Sequence, residues 1–85
     1  MFFLGIDIAK NSHVASLIDS DGNILFKAFS FKNSVVGASA LIDKINKFDK
    51  KTFHIGMEAT GHYWLSLYSF LIDNQYTVHV INTIQ

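Results

Sequence analysis

Two carboxylates far apart in the chain are the residues whose types and placement point to shared chemistry. Asp7 sits inside an apolar run, Gly5-Ile6-Asp7-Ile8-Ala9-Lys10, and Glu58, the only glutamate, closes the run Phe53 to Glu58. An unpaired charge inside an apolar strand is costly, so a metal, a cation or solvent at the strand end must compensate. If the two runs are neighbouring strands, their backbones lie about 4.8 Å apart. Two carboxylates at matching heights repel when both are ionised. A divalent cation between them removes that penalty. Mg²⁺ (or Mn²⁺) suits such a site, because it takes carboxylate oxygens, waters and then phosphate oxygens. The alternative is that Asp7 caps a turn and Glu58 is a solvated strand-end charge. Equivalent positions on two adjacent strands favour the metal reading.

The remaining polar residues supply secondary candidates. Thr60-Gly61 follows Glu58 and is expected to open a helix, whose first amides would hold a phosphate near the metal; an ordinary N-cap with a glycine is the plainer reading. Lys10 follows the first strand and is a candidate phosphate contact, with a solvated lysine as its alternative. His62, on the expected first turn of that helix, reads as a polar surface residue rather than a ligand or base. His13, His54 and His79 have no ligand spacing and read as structural. Asp19 and Asp21 are turn residues, and Asp43, Asp49 and Asp73 fall on helix faces or ends.

The elements that must position these groups follow from periodicity. Phe2 to Ala9 is apolar on both alternating faces, as in a strand buried on both sides. His13–Asp19 and Ile24–Phe31 are the next strands, joined through Asp19-Ser20-Asp21-Gly22, where Gly22 is free to take positive φ. Short connections make these three an antiparallel meander. Asn33 or Ser34 caps a helix whose apolar stripe is Val35, Ala38, Leu41, Ile42, Ile45 and Phe48, with Asp43 and Lys47 spaced to pair. Phe53–Glu58 is the fourth strand, Thr60 to about Asn74 the second helix, and Tyr76–Ile81 the fifth strand. Right-handed crossovers place the fourth strand parallel beside the first, with the fifth outside it. The expected fold is therefore α/β, βββαβαβ, a mixed sheet in the order 3-2-1-4-5. That layout is ribonuclease-H-like, and it is also the half-domain of actin-like ATPases and sugar kinases.

Composition narrows the partners. At 85 residues the chain is one domain at most, 49% hydrophobic and only 16% charged, which excludes a disordered tail. Seven basic residues, all lysine, balance seven acidic ones, so no basic patch follows from the totals. Without cysteine there is neither a disulfide framework nor a thiolate site. The run Ala59 to Ile72 is too short to span a membrane, which needs about 20 apolar residues, and no signal peptide precedes Asp7; a cytoplasmic protein is the default. The second helix is apolar nearly all round, through Tyr63, Trp64, Leu65, Leu67, Tyr68, Phe70, Leu71 and Ile72. That surplus points to contact with another domain or subunit. Together with a chain that closes on Asn82-Thr83-Ile84-Gln85, it suggests part of a larger protein.

Taken together, Gly5-Ile6-Asp7-Ile8-Ala9-Lys10, the hairpin through Asp21-Gly22, Met57-Glu58-Ala59-Thr60-Gly61-His62-Tyr63 and Val78-His79-Val80-Ile81-Asn82 resemble the amino-terminal part of the DEDD insertion-sequence transposases. Their first domain is similar to the RuvC Holliday-junction resolvase. The resemblance covers essentially the whole chain. It implies that Asp7 and Glu58 are the first two acidic residues of a metal-binding tetrad that acts on DNA phosphodiesters. It also implies a second domain with a nucleophilic serine and an element-encoded guide RNA; a homo-oligomer is the expected assembly. The two later aspartates and the serine domain have no counterpart in these residues, so the chain alone is expected to bind metal weakly and to cleave nothing. Two other readings stand beside this one. A half-domain of an actin-like ATPase would need a glycine- and threonine-rich loop where Ala9-Lys10-Asn11-Ser12 stands, and a non-catalytic module would dimerise through the second helix.

Overall fold

The computed structural model describes residues 1–59 and 61–81. Five strands, β1 (Phe2–Asp7), β2 (Ser12–Asp19), β3 (Ile24–Lys32), β4 (Phe53–Glu58) and β5 (Thr77–Ile81), alternate with two helices, α1 (Val35–Ile45) and α2 (Leu65–Asp73). They form one mixed sheet in the order β3-β2-β1-β4-β5, the ribonuclease-H-like arrangement. The β1–β2 and β2–β3 pairs are antiparallel, whereas β1–β4 and β4–β5 are parallel.

The hairpin turn between β2 and β3 is held by one side chain. Asp19 Oδ1 accepts from the amides of Asp21 and Asn23, and Oδ2 accepts from Asn23 Nδ2. These bonds, led by that of the Asn23 side chain, hold the Asp19 carboxyl below its ordinary range. Gly22 takes φ +86°, which an L side chain rarely adopts. At the other end of β3 the chain folds back sharply into α1. Ser34 is the N-cap, its hydroxyl accepting from the Gly37 amide at 3.1 Å. Gly37 presses on the Lys32 backbone so closely that a β-carbon there would overlap the Lys32 carbonyl.

Both helices contribute to one core on one face of the sheet. Ala38, Leu41 and Ile45 of α1 and Leu67 and Leu71 of α2 pack with Leu4, Ile6, Ala15, Leu17, Phe53, Ile55 and Met57. The opposite face is uncovered among the described residues, which corrects the expectation that β1 is buried on both sides. Leu4 and Ile6 are buried, but Phe3 is 40% exposed and Gly5 and Asp7 are open to solvent. An apolar residue on an open face looks the same in sequence as one on a covered face. The α1 stripe holds except at Val35, which is 70% exposed. Lys47 stands over the Phe48 ring, beyond the end of α1.

The second helix also differs from expectation. It begins at Leu65, and Trp64 caps it without a side-chain hydrogen bond. Gly61 takes φ +60°, outside the helical region, and Trp64 Nε1 donates to the Gly61 carbonyl at 3.2 Å. A turn therefore separates β4 from α2, and His62 lies in it rather than on the helix. The expected Thr60 cap lies outside the described residues. Much of the aromatic surplus is spent on the core: Trp64, Tyr68 and Phe70 pack against it, while Tyr63, Leu65 and Ile72 remain exposed.

Candidate active site

Parallel pairing of β1 with β4 sets the site. The register runs from Phe2 opposite Phe53 to Ile6 opposite Met57. Asp7 and Glu58 are the next residue on each strand, and both are exposed. Side chains alternate across a strand, so Asp7 lies on the face of Phe3 and Gly5, and Glu58 on the face of His54 and Gly56. That is the open face. Adjacent strands lie about 4.8 Å apart, which brings the two carboxylates to the same end of neighbouring strands. Each strand stops there, so the groups reach solvent rather than the core.

Both residues line one groove of about 590 Å³, together with Gly5, Ile8, Val14, Ser16, Gly56 and Ile81. Gly5 and Gly56 form its floor: a β-carbon built on either meets nothing within 4 Å. Among the described residues no cluster of three or more histidine, cysteine, aspartate or glutamate side chains forms. The donor set is thus two hard carboxylates with open space in front. That fits Mg²⁺ or Mn²⁺, which binds one or two carboxylates and completes its shell with water and phosphate oxygens.

His13 supports the loop that leaves Asp7. Its ring is fully buried, and Nδ1 accepts from the Ala9 amide at 3.1 Å. Since Nδ1 is the acceptor, Nε2 carries the proton, and it has no partner among the described residues. Its structural assignment from sequence is consistent with this packing. Lys10 lies in the bend between β1 and β2, where its carbonyl accepts from Asn33 Nδ2 and its side chain is exposed. Gly61 lies in the turn after β4, four residues before α2, so it does not offer a helix-start amide to a phosphate.

One pairing escaped the sequence reading. His54 and His79 meet on the open face, Nδ1 to Nε2 at 3.2 Å, although 25 residues separate them. The signal was present only in the parallel register, which sets His79 opposite Gly56, two residues beyond His54.

Comparison with known proteins bears on the family and the fold. The DEDD-type family described as "Transposase" matches residues 4–85. The pilin gene-inverting proteins of Moraxella lacunata and Moraxella bovis are each 32% identical over 82 residues, covering 94% of this chain and 24% of theirs. The chain thus spans about a quarter of the length of these curated relatives. Archaeoglobus fulgidus Pelota, from a crystal structure describing its inter-domain plasticity, superposes with a TM-score of 0.58 over 96% of this chain and 26% of that one. At 16% identity that likeness concerns the fold alone. The family match also decides between the two fold-level readings that element order left open. The chain belongs to the DEDD transposase family.

Proposed function

We propose that this chain is the amino-terminal part of a RuvC-like catalytic domain, residues 1–85, of an enzyme that cuts and joins DNA during transposition. The observation that carries the proposal is the placement of Asp7 and Glu58 just beyond the Ile6–Met57 pair, on one open face and in one groove. The name of the Moraxella relatives, pilin gene-inverting, describes a DNA rearrangement and supports the same reading. Bound Mg²⁺ or Mn²⁺ would help to orient the nucleophile and would stabilise the charge that develops on the transferring phosphate.

The chain's own residues have distinct tasks in this scheme. Asp7 and Glu58, as ionised acceptors, hold the cation. Gly5 and Gly56 keep the groove floor flat, so a DNA backbone can approach the strand ends. Lys10, in the bend after β1, and Thr60 and Gly61, which follow Glu58 closely in the sequence, are the proposed phosphate contacts. Lys10 would add one ion pair to a domain of zero net charge, so DNA binding by these residues alone is weak. We further assign the two later aspartates, the serine-bearing domain, the guide-RNA contact and the homo-oligomer interface to the rest of the parent enzyme, since this chain spans about a quarter of its relatives. By itself the chain cleaves nothing.

The test restores the chain's sequence to the amino terminus of a full-length relative and assays strand cleavage with Mg²⁺ or Mn²⁺. Cleavage by that hybrid, abolished in Asp7→Asn and in Glu58→Gln, is expected. An active hybrid indifferent to both substitutions would overturn the assignment.

A further inference from the structure

We propose that His54 and His79 form a second metal site on the open face, one that takes a borderline transition ion such as Zn²⁺ or Ni²⁺. The nitrogens concerned, His54 Nδ1 and His79 Nε2, are 3.2 Å apart. Two imidazole nitrogens bound to one tetrahedral zinc at about 2.0–2.1 Å stand about 3.3–3.4 Å from each other. The side chains therefore hold nearly the required separation without an ion. The backbone explains why. His79 pairs with Gly56 across the β4–β5 ladder, two residues beyond His54, so both histidines lie on the same open face of adjacent strands. The rings lie 5.4 Å apart at an interplanar angle of 27°. Phe3 stacks on His54 at 5.9 Å and restrains that ring.

In the absence of an ion, one ring donates its N–H to the other. A tautomer shift moves that proton to the donor's second ring nitrogen, and both facing nitrogens then carry lone pairs. The space in front is a groove of about 400 Å³ lined by Gly5, Ser16, Ile18 and Gly56, which leaves room for waters to complete the shell. No third histidine, cysteine or carboxylate joins the pair among the described residues, so the site is open and exchangeable rather than a closed structural zinc centre. Imidazole selects borderline ions over Mg²⁺, which distinguishes this pair from Asp7 and Glu58. The bound ion would tie β5, at the edge of the sheet, to β4.

The test titrates ZnCl₂ into the chain by calorimetry and repeats thermal melts with and without Zn²⁺. Saturable binding and a raised Tm are expected. Each of His54→Gln and His79→Gln should weaken binding at least tenfold and remove the Tm rise, whereas the double variant Asp7→Asn, Glu58→Gln keeps both effects. His79 is exposed on an edge strand, so its variant remains decisive if His54→Gln fails to fold. Absence of saturable binding, binding that survives His79→Gln, or loss of binding in the carboxylate double variant would overturn the proposal.

Discussion

Asp7 and Glu58, distant in sequence, each stand one residue beyond the Ile6–Met57 pair, on the same open face of adjacent parallel strands. Two like charges are thereby held close at a solvent-exposed edge. Without a cation their mutual repulsion opposes folding slightly, and with one they become a shared ligand.

Asp7→Asn or Glu58→Gln should therefore leave stability in chelator unchanged or raised by up to about 0.5 kcal/mol. Urea unfolding in EDTA measures this. A loss of more than about 1 kcal/mol would mean that the carboxylate has a structural partner instead.

Gly37→Ala should destabilise the chain by about 1–3 kcal/mol, because the new methyl meets the Lys32 backbone, which cannot swing aside as a side chain does. Gly5→Ala provides the contrast. Its β-carbon enters open space, and its effect should stay within about 0.5 kcal/mol. Denaturant midpoints of the two variants test both statements.

His13→Ala removes a buried ring and orphans the Ala9 amide that it accepts from. The expected cost is about 2–4 kcal/mol. Amide hydrogen exchange at Ala9, in the loop after β1, should accelerate well beyond that of the β1 amides. Unchanged exchange would show that the loop after Asp7 is held by something else.

Asp19 introduces a pH dependence of definite sign. Its carboxyl is depressed by Asn23 and by the Asp21 amide, so the folded state holds its proton less tightly than the unfolded chain. The stabilisation is fully present above the ordinary value of 3.8 and is lost as pH falls through the depressed folded value. The Tm gap between wild type and Asp19→Ala should be widest near neutral pH and should shrink in acid. A gap that is constant across that range would remove the charged hydrogen bonds from the account.

The limits of the sequence reading are physical. Phe53–Glu58 was legible with its bounds, because alternation between buried Phe53, Ile55 and Met57 and their neighbours is strict. The strand order followed from connection lengths and crossover handedness, and it placed Asp7 beside Glu58. The start of α2 was missed because Thr60-Gly61 has the composition of an N-cap, whereas Gly61 uses its freedom to enter the left-handed region and open a turn. The open face was missed because Phe3, Val14 and Ile18 are apolar yet exposed, and only the side on which the helices pack distinguishes the two faces. The His54–His79 contact needed the β4–β5 register, which no local pattern encodes.

The central claim is that Asp7 and Glu58 share a divalent ion, and the most direct measurement is paramagnetic broadening of amide resonances in the ¹⁵N-labelled chain by sub-stoichiometric Mn²⁺. The account predicts that broadening centres on Asp7, Ile8, Glu58 and Ala59, competes with Mg²⁺, and disappears in the Asp7→Asn, Glu58→Gln double variant. Broadening centred elsewhere, or persisting unchanged in that variant, would contradict it.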